Sequence, residues 1–157
     1  MRYFRLGLLI AVVIVIADQA TKWLIVTQVM APPRSIEVLP FFNVVMVWNR
    51  GISFGAFNTG SAAMGWALTG FALLIAAGLL IWLWRAKTGL IATALGLVIG
   101  GAVGNVVDRV RIGAVADFLD VHVGNYHWPA FNLADSAISV GVALILLEAL
   151  LGERRSA

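Results

Sequence analysis

The chain has 157 residues, 61% of them hydrophobic and only 12% charged, and its mean hydropathy of +0.95 lies outside the roughly half-apolar composition of soluble domains. It reads as an integral membrane protein of one compact domain, residues 1–157. With no cysteine and only two histidines, His122 and His127, disulfides, thiolate metal sites and cysteine nucleophiles are excluded and any catalysis leans on carboxylates; the net charge of +3 comes from basic residues that cap hydrophobic runs, a topological pattern and not a nucleic-acid one.

Four apolar segments, residues 6–26, 62–84, 90–107 and 133–151, each approach the roughly 20 residues that cross a bilayer as a helix. The fold class expected is therefore an all-α membrane protein with four transmembrane helices. Arg2 and Arg5 precede the first run as in a signal peptide, but no small-residue cleavage site follows and the run continues past Lys22, so it reads as a retained span. Arg2 and Arg5, Arg85 and Lys87, and Arg154 and Arg155 flank the start, the second-to-third connection and the end. The positive-inside rule then puts both termini in the cytoplasm and the two longer connections, residues 27–61 and 108–132, outside.

The first outer loop is more than a linker. From Ile36 to Trp48 it is rich in β-branched and aromatic residues and is bounded by Pro32, Pro33 and Gly51, which predicts one or two strands; the stretch around Val115 to Val123 predicts a strand or two more. A small β-rich region on the outer membrane surface is expected. In the third span Gly96, Gly100 and Gly104 recur every four residues, a small-residue face that lets a neighbouring helix approach closely, and packing within a monomer is the simplest use of it. Trp23, Trp66, Trp82 and Trp84 stand near span ends, as interfacial tryptophans do.

Polar groups from four segments reach one depth. At about 1.5 Å per helical residue, Asp18 lies roughly 18 Å and Lys22 roughly 24 Å along the first span, Asn105 roughly 22 Å along the third, and Asp135 within roughly 5 Å of the outer boundary. Asp18 and Lys22, four apart, suit a helix-surface ion pair, with Lys22 also able to snorkel toward the surface. Asp108 and Arg109 suit a polar brace at the end of the third span, where arginine satisfies orphan carbonyls, and Asn105 suits a hydrogen bond across helices. Asn132 and Asp135 have the spacing of an N-cap and an acidic N3 residue, and a capping box alone would account for them. Asp117, in the apolar setting Ala114-Val115-Ala116-Asp117-Phe118-Leu119, has no such explanation, while Asp120 beside it is expected to face water.

Asp18-Gln19-Ala20-Thr21-Lys22, Trp48-Asn49-Arg50-Gly51-Ile52-Ser53-Phe54-Gly55, Gly100-Gly101-Ala102-Val103-Gly104-Asn105-Val106-Val107-Asp108-Arg109, Val115-Ala116-Asp117-Phe118 and Phe131-Asn132-Leu133-Ala134-Asp135-Ser136 together resemble the sequence boxes of lipoprotein signal peptidase, or signal peptidase II, in order over nearly the whole chain. Ser53 stands where that pattern often has alanine. The resemblance implies an aspartyl endopeptidase of the bacterial plasma membrane that cuts prolipoproteins just before a diacylglyceryl-modified cysteine, without metal or cofactor. It maps the catalytic dyad onto Asp117 and Asp135 and surrounds it with Asn105, Asp108, Arg109 and Asn132. Asp18 and Lys22 match the family's first-span motif, and Asn49 and Gly51 its outer-loop motif near the substrate and the inhibitor globomycin.

Two carboxylates held close share a proton, so one serves as acid and the other as base toward water. The strand-rich loop with Phe54 and Phe57 would lie over the site and hold the lipid-bearing end. Two other readings remain open at this level. A peptidase could pair Lys22 with Ser53 or Ser136, and a small proton or cation transporter could use the intramembrane acids, although the polar groups stop at one leaflet and only Glu148 stands on the inner side. A purely structural membrane partner would leave Asp117 without a role. Partners expected are the prolipoprotein substrate, membrane lipid and a globomycin-type inhibitor, with no nucleic acid and a monomeric protein.

Overall fold

The computed structural model of the chain describes residues 2–51 and 62–154. Among these, four helices are long and apolar enough to cross a membrane: α1 (Arg2–Leu24), α2 (Ala62–Trp84), α3 (Gly89–Ile112) and α4 (Leu133–Arg154). Ser53, Phe54, Phe57 and Arg155 lie outside the described residues, as does the role expected of the two phenylalanines.

Helix α3 is the hub, packed against α1, α2 and α4; 67% of its apolar window is buried in the bundle, against 17%, 11% and 17% for the other three. Small residues make this possible. A side chain at Gly100 would meet the Ala11 carbonyl of α1, one at Gly104 would meet the Asp18 carboxylate, and one at Gly101 would meet the Ala134 carbonyl of α4. The glycine face of the third span thus serves packing within the chain. A core of Ala11, Leu83, Ala92, Leu95 and Ile99 closes the opposite end, with Phe4 and Ile145 against it.

Helix α3 is capped at both ends. The Thr88 hydroxyl accepts from Ile91 N at 3.2 Å and donates to Glu148 Oε1 at 2.9 Å. At the other end Gly113 takes a left-handed conformation, φ 78°, and its N–H bonds Arg109 O, the usual solution for a glycine that stops a helix. The helix therefore runs past residue 107, where hydropathy fades, and carries Asp108 and Arg109 in its last turns instead of releasing them into a loop. Helix α1 widens into a π-helical turn, Ile25–Val29.

A four-stranded antiparallel sheet, β1 (Ile36–Leu39), β2 (Phe42–Asn49), β3 (Val115–Val123) and β4 (Tyr126–His127), runs in the order β1-β2-β3-β4. The two connections predicted to hold strands thus form one sheet. A bulge in β2 between Val44 and Val47 shifts the register, so that Asn43 lies opposite Asp120 whereas Val47 lies opposite Asp117. Asp117 and Asp120, three apart on a regular strand, project to opposite faces. The extra residue in β2 sends Asn43 and Asn49 to opposite faces as well. Each aspartate consequently has its own asparagine.

Candidate active site

The polar residues singled out in the sequence converge where α1, α3 and α4 meet the sheet. Asn132 begins the cluster as the cap of α4: its Oδ1 accepts from Asp135 N at 3.0 Å, and Asp135 Oδ2 accepts from Asn132 N at 3.2 Å. This is the expected capping box. It is also more than that, because Asn132 Nδ2 donates to Asp117 Oδ1 at 2.7 Å and to Asn105 Oδ1 at 3.2 Å.

Asp117 is 2% exposed. Its second oxygen accepts from Asn49 Nδ2 at 2.9 Å, while Asn49 Oδ1 accepts from Gly51 N at 3.0 Å. Burial pushes the Asp117 carboxyl up to about 6, the Asp135 charge adds to the rise, and the Asn49 and Asn132 amides and the Lys22 ammonium hold it back. Asp135, half-buried, accepts from Asn105 Nδ2 at 2.8 Å. Two carboxylates are thus held in one asparagine network, near enough for the charge of one to raise the proton affinity of the other.

Beneath them lies a buried ion cluster. Lys22 Nζ sits 2.9 Å from Asp18 Oδ2, 2.9 Å from Asp108 Oδ2 and 3.0 Å from Asn105 Oδ1, so all three ammonium protons have partners. Asp18 is fully buried and Lys22 only 4% exposed, so the expected surface ion pair and snorkelling lysine give way to an internal one. The packed glycine face explains the difference, because Gly104 brings α3 against the Asp18 carboxylate. Asp18 Oδ1 accepts from Ala134 N at 3.0 Å, placing a negative group on the exposed donors of the α4 N-terminus.

Asp108 Oδ2 also accepts from Ala116 N at 3.2 Å, fastening β3 to α3. Arg109 does not serve helix-end carbonyls; Nη2 donates to Gly51 O at 3.1 Å, tying α3 to the turn after β2. Its charge bears on Asp135, Asp117 and Asp108.

All ten candidates, Asp18, Lys22, Asn49, Gly51, Asn105, Asp108, Arg109, Asp117, Asn132 and Asp135, therefore belong to one network. Sequence reasoning passed over Gln19, whose Nε2 donates to Asp108 Oδ1 at 2.8 Å and to Gly104 O at 3.2 Å; its position beside Asp18 in an apolar run was the available signal. Asp120 was expected in water. It is 6% exposed, held by Asn43 Nδ2 at 3.0 Å and His127 Nδ1 at 2.9 Å. Burial raises its pKa, but these hydrogen bonds and the neighbouring imidazoles outweigh that and hold it below the usual carboxylate range.

An open cleft of about 380 Å³ beside Asp135 is lined by Trp128, Pro129, Ala130, Phe131, Ser136, Ser139 and Val140. Among the described residues no three His, Asp or Glu side chains converge in a metal-holding arrangement. Asp135 faces the cleft directly, and Asp117 is joined to it through Asn105 and Asn132.

Known proteins resemble the chain over nearly its whole length. Residues 10–151 match the family model described as signal peptidase (SPase) II. The chain is 46% identical over 156 residues to the lipoprotein signal peptidase of Methylobacterium sp. (strain 4-46), covering 99% of this chain and 94% of that protein. It is 47% identical over 152 residues to that of Beijerinckia indica subsp. indica, covering 94% and 89%. A solved structure described as a bacterial membrane enzyme, determined by the in meso method at 2.3 Å resolution, superposes with a TM-score of 0.83 at 33% identity, covering 96% of this chain and 91% of that one.

Proposed function

The chain belongs to the signal peptidase II family, which removes signal peptides from prolipoproteins, and from that premise we propose that it is an aspartyl endopeptidase whose working pair is Asp117 and Asp135. The observation that carries this reading is the asparagine network: Asn132 and Asn49 hold both oxygens of Asp117, and Asn105 and the Asn132 backbone hold those of Asp135. Carboxylates so oriented, with Asp117 pushed up to about 6 by burial and in part by the Asp135 charge, suit a division into one acid and one base.

The ionised member takes a proton from a water between them, and the resulting hydroxide attacks the scissile carbonyl. The protonated member gives its proton to the developing oxyanion. Collapse of the tetrahedral species then breaks the C–N bond, with a proton passed to the departing amine. No metal or cofactor takes part in this scheme.

The substrate is a prolipoprotein cut just before its diacylglyceryl-modified cysteine. Its signal helix would lie along α3 between α2 and α4, which share no packed interface among the described residues. The chain near the cut enters the cleft beside Asp135. The protein is a monomer in the bacterial plasma membrane, with both termini cytoplasmic and the sheet on the outer side. Asn49, Gly51 and Arg109 border the site and meet substrate, membrane lipid or a globomycin-type inhibitor. A lysine-activated serine is disfavoured, since Lys22 is committed to Asp18, Asp108 and Asn105 and the Ser136 hydroxyl donates to Asn132 O at 3.0 Å.

The test is a cleavage assay in detergent with a lipidated prolipoprotein. Asp117→Asn and Asp135→Asn should each lose about 10³-fold or more in rate, within the range that acid–base groups contribute. Appreciable turnover by either variant would sink the pair.

A further inference from the structure

The wall of the cleft beside Asp135 is a strap, residues 126–131, running from β4 to the cap of α4. Its far end is firmly tied: Phe131 exchanges backbone bonds with Leu119 at 2.8 and 3.0 Å and accepts another from Phe118 N at 3.0 Å. Its near end has little backbone support, because β4 is two residues long and pairs only His127 with His122 and Tyr126 with Val123. Trp128 N bonds Val121 O at 2.8 Å, and the next residue, Pro129, has no N–H to offer. A strand this short does not hold itself in place.

A side-chain clamp on the face of the sheet opposite Asp117 adds the support that the short strand lacks. His127 Nδ1 lies 2.9 Å from both oxygens of Asp120, and Asn43 Nδ2 donates to Asp120 Oδ2 at 3.0 Å. The ring of His122 stacks on that of His127, with centroids 4.7 Å apart and planes at 22°. Glu37 on β1 stands opposite Asn43 and is exposed. The bulge in β2 is what brings Asn43 to this face. A buried carboxylate is costly unless fully partnered, and none of the partners found for Asp120 belongs to the Asp117–Asp135 network.

We propose that Asn43, Asp120 and His127 are positioning residues that hold the strap against β3 and so set the width of the cleft that receives the substrate chain. They touch no reacting group. Loss of the clamp frees residues 126–130, whereas Phe131 and Asn132 keep their own bonds to β3, Asn105 and Asp117. The effect accordingly falls on substrate binding and not on chemistry.

This inference rests on the peptidase reading, and its test separates the two. Steady-state cleavage of a lipidated prolipoprotein is compared in wild type, His127→Ala, His127→Gln and Asp120→Asn, alongside backbone hydrogen exchange of the same proteins without substrate. His127→Ala and Asp120→Asn should raise KM about three- to tenfold, the worth of one or two hydrogen bonds, with kcat within about twofold. His127→Gln, which keeps an N–H donor, should recover most of the loss. Exchange at residues 126–130 should quicken in His127→Ala and Asp120→Asn while residues 115–119 stay protected. A fall in kcat at unchanged KM, or exchange at residues 126–130 indistinguishable from wild type, overturns the clamp. Absence of cleavage by the wild type would instead overturn the peptidase reading, with the exchange data still deciding whether the clamp exists.

Discussion

Asn132 faces two ways: its carboxamide oxygen caps α4 on Asp135 N at 3.0 Å, and its nitrogen reaches Asp117 Oδ1 at 2.7 Å. The residue that starts the fourth helix also orients an aspartate on the sheet. Helix initiation and the placement of the two carboxylates are thus one event.

The two duties separate by substitution. Asn132→Ser keeps an oxygen for the cap but has no donor that spans to Asp117, so it should unfold at a higher temperature than Asn132→Ala while kcat falls by about tenfold or more. Asn132→Ala loses both, and the lost cap alone should cost about 1 kcal/mol. Thermal unfolding in detergent beside a cleavage assay reads the split.

Asp117 makes activity and stability fall together as pH rises through about 6. Its folded pKa is raised, from 3.8 to about 6, so the native protein retains a proton that the unfolded chain releases. The resulting stabilisation is complete below about pH 3.8, is lost as pH rises through about 6 and does not change further above it. A shift of this size corresponds to on the order of 3 kcal/mol. Cleavage should fall over the same window, because the scheme needs one protonated carboxyl and ionising Asp117 removes it. The difference in unfolding temperature between wild type and Asp117→Asn, followed from pH 4 to 7.5, should move in favour of the variant and level off above about pH 6.

The lysine at the centre of the ion cluster is predicted to be structural. Lys22→Met leaves Asp18 and Asp108 buried without their cation, and removing one partner of a buried pair typically costs about 3 to 5 kcal/mol. Unfolding temperature should drop sharply. A variant with stability close to wild type would show that the cluster does not brace α1 against α3.

The glycines divide by what they face. An alanine at Gly104 would press on the Asp18 carboxylate, and one at Gly100 on the Ala11 carbonyl, whereas Gly78 on α2 has nothing within 4 Å of its would-be Cβ. Gly104→Ala should destabilise by an overpacking penalty of about 1 to 3 kcal/mol, and Gly78→Ala should be neutral or gain up to about 1 kcal/mol from helix propensity. Equal effects at the two positions would contradict close α1–α3 packing.

Much of this architecture is legible in the chain itself. The four spans follow from the length of the apolar runs, because a bilayer demands helices of about 20 residues whatever their neighbours are. The strands follow from the β-branched and aromatic run ending at Trp48 and from Val115 to Val123, and the α4 cap from the spacing of Asn132 and Asp135. The ten candidate residues stand out because polar groups are rare in so apolar a chain.

Other features depend on contacts between segments distant in sequence. The end of α3 at Ile112, five residues past the fading of hydropathy, is possible because Asp108 and Arg109 find Lys22, Ala116 and Gly51. The depth of Asp18 and Lys22 depends on a glycine face on another helix. The pairing of β2 with β3, and the bulge that gives Asp117 and Asp120 separate asparagines on opposite faces, join residues about 70 apart. Local pattern determines which segments become helix or strand and which residues are polar enough to matter. Which carboxylate is buried, which amide holds it and which proton it keeps are decided by tertiary packing, since desolvation and hydrogen bonding belong to the assembled environment and not to the residue.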